Sequence, residues 1–520
     1  MNVASLIYSE SKNFSNSHAL KIENVVTTYS DLFERALRIA SILIDSGAKK
    51  ETIGIVGQRK VASYVGLLSI LSAGCSFTPI NPKHNKVKIR SILNGSKIRF
   101  LIGDESDISK LDKDMLLNID LIILPQSNLK KMKNETIVNE KDILQTKALS
   151  KPIDCDDEDI AYINFTSGST GKPKGVKISH KNIINFIMNM SDIYKIDPGF
   201  NASQTFDLSF DPSVSDILFT WYKNGILCVL PEKEMLVPTD FIIREKINFW
   251  NSVPSIANFM IKTGNLNPKS FPNLKHSMFC GEQFSTHIAK AWRIAAPNST
   301  IENLYGPTET TIYITRYIYT KEDENKDFKN DIVPIGLPLG DHKFALIDEK
   351  ENLVHENHKG EIVFSGKQLS KGYLNDKDKT NDVFKKFNWD TDNLLWYKTG
   401  DLGFLNSQGN LECIGRIDSQ IKIAGRRIEI GEIEYALSQF KKTKGAVVVP
   451  LRDSQDIVIG CAAFIIEDLT IEEERFIREE SMKTLDSVFF PKKIISIDNF
   501  PKAESGKVNR KKLEAIAKNF

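Results

Sequence analysis

An α/β fold is predicted: a large N-terminal domain of packed α/β subdomains with mainly parallel sheets, joined to a small mobile α+β C-terminal domain. Three observations predict it. The chain has 520 residues, more than one hydrophobic core usually serves. From about Thr28 to Val383, short apolar β-branched runs alternate with segments of helical spacing, the pattern of βα units. Around GRIDSQIKIAG (415–425) that pattern breaks, and a smaller region follows with its own strands, helices and basic tail. The domains are therefore expected at 1–417 and 418–520, with the hinge at Asp418.

The elements follow in order. TYSDLFERALRIASILIDSGA reads as a capped amphipathic helix: Leu32, Leu37, Ile39, Ile42 and Leu43 fall near helical spacing, and Gly47 ends it. ETIGIVG is a strand, VASYVGLLSILSAGC a helix and SFTPIN a strand. IRFLIGD, IDLIILP, GILCVLP and GEIVFSG repeat the strand pattern, and GAVVVPL and GCAAFII supply strands to the small domain. The Lys/Asn-rich stretches near 129–140 and 321–329 read as surface loops. No internal repeat of fixed period is present.

Composition excludes several classes. Hydrophobic residues make up 41% and charged residues 26%, as in ordinary soluble globular proteins. Sixty-nine Lys plus Arg against 67 Asp plus Glu leave a net charge of +2, with no electrostatic footprint for nucleic acid or a membrane surface. The start MNVASLIYSESKNF lacks a basic region followed by a long apolar stretch, so no signal peptide is expected. No run reaches the roughly 20 apolar residues of a membrane-spanning helix. The six cysteines stand singly without a C-x-x-C pair, which reads as free thiols in a reducing cytoplasm. A cytoplasmic monomer is expected.

The most informative string is YINFTSGSTGKPKGVKISH. An apolar strand runs into Thr166, Ser167, Gly168, Ser169, Thr170 and Gly171, followed by Lys172 and Lys174. Glycine lets the backbone turn its N–H groups toward an anion, hydroxyls add donors, and lysine neutralises phosphate charge. The spacing does not fit a Walker A loop, because Gly168 and Gly171 are too close and Lys172 precedes Pro173. TFDLSFDPSVSDILFTW places Asp207 and Asp211 in an otherwise apolar stretch. A carboxylate in such surroundings needs a cationic partner, which a substrate ammonium could be; a helix N-cap is the alternative for Asp211.

TSGSTGKPKG, NLYGPTETTIYIT, WYKTGDLG, GRIDSQIKIAG and PKAESGKVNRKKL together resemble the adenylate-forming superfamily, which includes acyl-CoA synthetases, luciferases and the amino-acid adenylation domains of nonribosomal peptide synthetases. The resemblance implies activation of a carboxylic acid by Mg-ATP as an acyl-AMP. It implies a phosphate loop from Thr166 to Gly171 with Lys174. It sets Gly281, Glu282, Asn303 and Tyr305 beside adenine, and Asp401 and Arg416 on the ribose. Thr308 is implied near the phosphoryl centre, Glu309 as the Mg²⁺ ligand, and Lys507 as the catalytic lysine. Lys422 and Gly425, on the opposite face of the small domain, are implied to line a thiol channel after rotation about Asp418. Arg426, Arg427 and the glutamates beyond read as a solvated helix face.

The amino-acid branch binds the α-amino group with an Asp in a Phe-Asp-x-Ser string, which points to Asp211 ahead of Asp207. The remaining pocket carries over to Pro212, Ser215, Ser255, Met278, Cys280, Leu304, Ile312 and Tyr313, none of them charged. A small uncharged amino acid is therefore expected. SMFCGE resembles stand-alone D-alanine–D-alanyl carrier protein ligases, so D-alanine and a small L-amino acid both stay open. No D-S-L type attachment motif is present, so a separate phosphopantetheinylated carrier protein is the expected acceptor. An acyl- or aryl-CoA synthetase and a degenerate nucleotide-binding module are the alternatives.

Overall fold

The computed structural model describes residues 1–127, 136–166, 173–326, 328–354, 358–417, 420–423, 425–443, 445–453, 458–502 and 508–518. The expected hinge residue Asp418 lies outside them.

The fold is α/β. A seven-stranded sheet runs in the order Thr136–Val138, Leu121–Ile123, Phe100–Gly103, Thr52–Val56, Ser76–Ile80, Ile160–Thr166, Lys174–Ser179, and only its last pair is antiparallel. A nine-stranded sheet is built around a parallel centre of His18–Ile22, Ile226–Val229, Asn201–Gln204, Phe249–Ser252, His276–Cys280 and Thr300–Tyr305, with antiparallel strands at both edges.

The two sheets share one core. The helix Tyr29–Asp45 buries the predicted stripe of Leu32, Leu37, Ile39, Ile42 and Leu43. Its N-cap is Thr28, whose Oγ1 accepts from Asp31 N at 3.1 Å. At its other end Gly47 takes φ +85°. The Ala48 N–H then bonds the Leu43 carbonyl and the Gly47 N–H that of Ile44, which satisfies the last carbonyls. Every residue of the helix Val61–Ser72 is buried, which accounts for its apolar character on all sides. Phe77 and Tyr162 from one sheet belong to the same cluster as Leu227 and Phe249 from the other.

A third sheet departs from the parallel pattern. Lys343–Ile347, Gly360–Ser365 and Trp396–Leu405 pair antiparallel, with Phe384–Lys385 and Leu411–Arg416 also on the last strand. GEIVFSG is a strand as predicted, but it pairs antiparallel with Lys343–Ile347 and so forms a hairpin with it.

Beyond Gln420 lie a hairpin (Gln420–Ile423 with Arg426–Glu429), a three-stranded sheet (Val447–Arg452, Val458–Ile465, Lys493–Ser496) and the helices Ile430–Ser438, Ile471–Ser481 and Arg510–Lys518. No described helix is long and apolar enough to cross a membrane. All six cysteines are free, and four of them are buried.

Candidate active site

The carboxyl ends of three parallel-sheet strands, Ile160–Thr166, His276–Cys280 and Thr300–Tyr305, open on one cavity, the usual place for a ligand in such sheets. Thr166 pairs with Lys174 across the antiparallel edge, so the two ends of the glycine–hydroxyl loop are held together. Ser167, Gly168, Ser169, Thr170 and Gly171 lie outside the described residues. Burial lowers the Lys174 ammonium, which lies 5.9 Å from the Tyr373 ring centroid.

Next to Thr308, which lines the cavity, Glu309 is buried on the short turn Thr308–Thr310. Its Oε1 accepts from Tyr373 Oη at 2.7 Å, while Oε2 has no hydrogen-bond partner. A buried carboxylate oxygen in that state suits a hard cation, so the donor fits the Mg²⁺ expected there. Among the described residues no cluster of three or more His, Cys, Asp or Glu could hold a metal by itself, so phosphate and water oxygens would have to complete the shell.

Asp401, on Trp396–Leu405, accepts from Arg416 Nη1 at 2.6 Å and from Tyr305 Oη at 2.5 Å. All three line the cavity. Asn303 also lines it, but its Nδ2 donates to the carbonyls of Val333 and Pro334. Only its amide oxygen is left for a base amine.

Asp211 precedes the helix Pro212–Tyr222 and makes no side-chain cap bond. It is 3% exposed, lines the cavity, and its Oδ2 has no partner. Burial pushes its carboxyl up to about 7, against a hydrogen bond with Thr308 that pulls it down. Asp207 is different: Ser209 N and Asn81 Nδ2 donate to it, and Arg426 lies 3.4 Å away. Burial works against its ionised form, but Arg426 and His84 hold it below the usual carboxylate range. Asp207 is thus already compensated by protein groups, whereas Asp211 is not.

Beside Asp211, the wall is made by Pro212, Cys280, Leu304, Ile312 and Tyr313. Ser215, Met278 and Ser255 are not among its lining residues. Met278 is fully buried two residues before Cys280 on the same strand face, one layer further back. Ser255 N instead donates to Glu282 Oε2 at 3.0 Å.

The small-domain hairpin docks into the same cavity. The Gly425 N–H donates to Glu282 Oε1 at 2.8 Å. At Gly425, φ is +74°, and a Cβ there would lie 2.6 Å from Val253 Cγ1 and 3.2 Å from Phe210 Cε1, so only glycine fits. Glu282, expected beside adenine, is thus a seat for this turn. Lys422 Nζ lies 5.9 Å from the Tyr305 ring centroid.

One expectation is overturned here. Arg426 and Arg427 do not lie on a solvated helix face. They belong to the strand Arg426–Glu429, and the helix begins only at Ile430. Arg426 reaches Asp207 and Asp486, and Arg427 Nη1 lies 3.7 Å from Glu309 Oε2. Glu429 is buried, and Glu432 lines the cavity. The string RRIEIGEIE has helical charge spacing, but docking of the hairpin decides its conformation.

Lys507 lies outside the described residues. On either side of it, Lys502 bridges Val508, and the helix Arg510–Lys518 packs on Val447–Arg452, with Arg510 bonded to Glu434 and the Val448 carbonyl. Among the described residues, none from 490 onward lines the cavity.

Residues 9–374 match the family model of the AMP-binding enzyme. Zwittermicin A synthase ZmaJ of Bacillus cereus is 30% identical over 500 residues, 94% of this chain and 90% of that protein. Gramicidin S synthase 2 of Brevibacillus brevis is 31% identical over 509 residues, which is 95% of this chain but only 11% of that protein. The Vibrio cholerae adenylation domain AlmE, solved in complex with glycyl-adenosine-5'-phosphate, covers 100% of this chain and 98% of its own, at 27% identity and a TM-score of 0.88. With its cavity geometry and these matches, the chain belongs to the AMP-binding enzyme family, the adenylate-forming superfamily, and stands with its amino-acid adenylation branch.

Proposed function

We propose that this protein activates a small uncharged amino acid with Mg-ATP as an aminoacyl-AMP and then transfers the aminoacyl group to the phosphopantetheine thiol of a carrier protein. One observation carries the amino-acid assignment: Asp211 is a buried carboxylate with an oxygen left unpartnered, facing the cavity. A substrate ammonium supplies the missing charge and hydrogen bond. The glycyl-adenosine-5'-phosphate bound to AlmE supports a small side chain.

In the first step a substrate carboxylate oxygen attacks the α-phosphorus of ATP, and the bond to pyrophosphate breaks. Asp211 holds the amino group and thereby aims the carboxylate, so orientation lowers the barrier. Asp401, fixed by Arg416 and Tyr305, accepts the ribose hydroxyls. Glu309 and the phosphate oxygens would hold Mg²⁺, which neutralises developing negative charge. Lys507 would bridge carboxylate and phosphate as a compact cation.

In the second step the carrier thiol attacks the acyl carbon, a thioester forms and AMP leaves. The docked hairpin, with Lys422, Gly425 and Arg427 in the cavity, suits this step. We assign the domains to 1–417 and 418–520, with rotation about Asp418 exchanging the hairpin for Lys507.

ATP–pyrophosphate exchange with panels of L-amino, D-amino, fatty and aryl acids tests this reading. Exchange with glycine or alanine of either hand is expected. Exchange confined to fatty or aryl acids would overturn the role of Asp211, and no exchange with any acid would leave only a nucleotide-binding module.

A further inference from the structure

Tyr313 lines the side-chain subsite beside Asp211, and two residues outside that lining, Asn251 and Gln368, grip it from two directions. On the phenol side, Asn251 Nδ2 donates to Tyr313 Oη at 2.9 Å and to Asp216 Oδ1 at 2.7 Å. Cys280 Sγ donates to the same phenol oxygen at 3.4 Å. The ring therefore reaches from its own loop to the strands Phe249–Ser252 and His276–Cys280 on the facing wall. Asn251 cannot drift: it is fully buried, its N–H donates to Ser203 Oγ, and its carbonyl accepts from Thr205 Oγ1.

On the main-chain side the grip is needed because the loop is held in a costly shape. Thr311 and Ile312 take φ +58° and +71° in succession, a region β-branched residues avoid. Gln368, fully buried on the neighbouring sheet's loop, counters this. Its Nε2 donates toward the carbonyls of Thr310, Thr311 and Tyr313, at 2.8 Å for the last. Its own carbonyl accepts from Thr311 Oγ1 at 2.6 Å. Asn189 Nδ2 donates to Gln368 Oε1, which fixes which end of the amide faces the loop.

We propose that Asn251 and Gln368 are specificity-positioning residues: they hold Tyr313 across the floor of the side-chain subsite and so restrict the substrate to glycine- and alanine-sized amino acids. The inference rests on the reading that Asp211 receives the amino group. Removing either grip is expected to let the floor drop, because the weaker Cys280 thiol bond and the Phe186 ring contact are then left to hold the buried phenol.

The test uses the full chain in amino-acid-dependent ATP–pyrophosphate exchange, with glycine, alanine, valine and leucine as substrates. Asn251→Ala and Gln368→Met are compared with Tyr313→Ala as the fully opened floor. Each is expected to raise the ratio of kcat/KM for leucine over alanine by at least about tenfold, through the amino-acid KM and with the ATP KM unmoved. Tyr313→Phe, which removes only the oxygen Asn251 grips, should shift the ratio in the same direction by less; it serves as the reading if a larger change fails to fold. A parallel fall for all four substrates with an unchanged ratio overturns the proposal. So does a ratio that moves for Tyr313→Ala but not for Asn251→Ala and Gln368→Met. If the unaltered enzyme exchanges with no amino acid, the Asp211 reading itself falls, which is a separate result from an unmoved ratio.

Discussion

Arg427 Nη1 lies 3.7 Å from Oε2 of Glu309, joining the small-domain hairpin to the turn proposed to carry the metal. Arginine and metal would therefore draw on the same oxygen. The hairpin-docked arrangement fits a stage after pyrophosphate and its metal have left. Arg427→Ala should slow aminoacyl transfer to the thiol about ten- to a hundredfold and leave ATP–pyrophosphate exchange within a few-fold. Rapid-quench separation of the two steps checks this; an equal loss in both would contradict it.

Lys507→Ala should give the opposite pattern. Exchange should fall by about a hundredfold or more, while thioester formation from pre-made aminoacyl-AMP persists. Supplying the synthetic adenylate with a phosphopantetheinyl acceptor measures the second step alone.

Asp211→Asn should remove amino-acid-dependent exchange by about a hundredfold or more. It should also stabilise the fold at alkaline pH. Burial raises this carboxyl to about 7 in the folded chain, above its unfolded value, so its ionised form costs the native state as pH rises through that range. The variant's melting temperature should exceed that of the unaltered protein at pH 8.5, with a smaller gap at pH 5.5.

The same carboxyl sets a pH dependence. Below about 7 Asp211 is protonated in the free enzyme and offers no ion pair to an ammonium. kcat/KM for the amino acid should fall as pH drops below 7, approaching about tenfold per unit, while kcat/KM for ATP changes less. A profile flat from pH 8 to 6 would remove Asp211 from amino-group binding.

Gly425→Ala should act on docking alone. The added methyl meets Val253 and Phe210 and must take a positive φ. Thioester formation is expected to slow about tenfold, with exchange nearly unchanged.

Much of this site was legible in sequence because its chemistry sits in short local strings. Asn303, Tyr305 and Thr308 fall within one strand and turn, and the structure gathers them with Asp401 and Arg416 around one cavity, with Glu309 buried next to Thr308. What local pattern could not reveal depends on distant partners. Arg426 and Arg427 have helical charge spacing, and their carboxylate partners Asp207 and Glu309 lie far back in the chain. Gln368 and Asn251 carry no motif, since their importance comes from what they grip. Met278 and Ser255 were displaced from the lining because a strand's depth in the sheet and a helix start are not fixed by alignment with a signature. The antiparallel pairing of the third sheet is likewise absent from its apolar runs, which look the same in either direction.

All six thiols of this molecule are held in their protonated form by their surroundings: burial raises every one, Cys155 to about 11 and Cys228, Cys413 and Cys461 to about 12. Since the thiolate is the reactive form, maleimide chemistry at neutral pH meets a quiet background. A single cysteine introduced at exposed Tyr435 could therefore carry a fluorophore or spin label, so the proposed rotation about Asp418 could be tested without stripping out the native sulfurs.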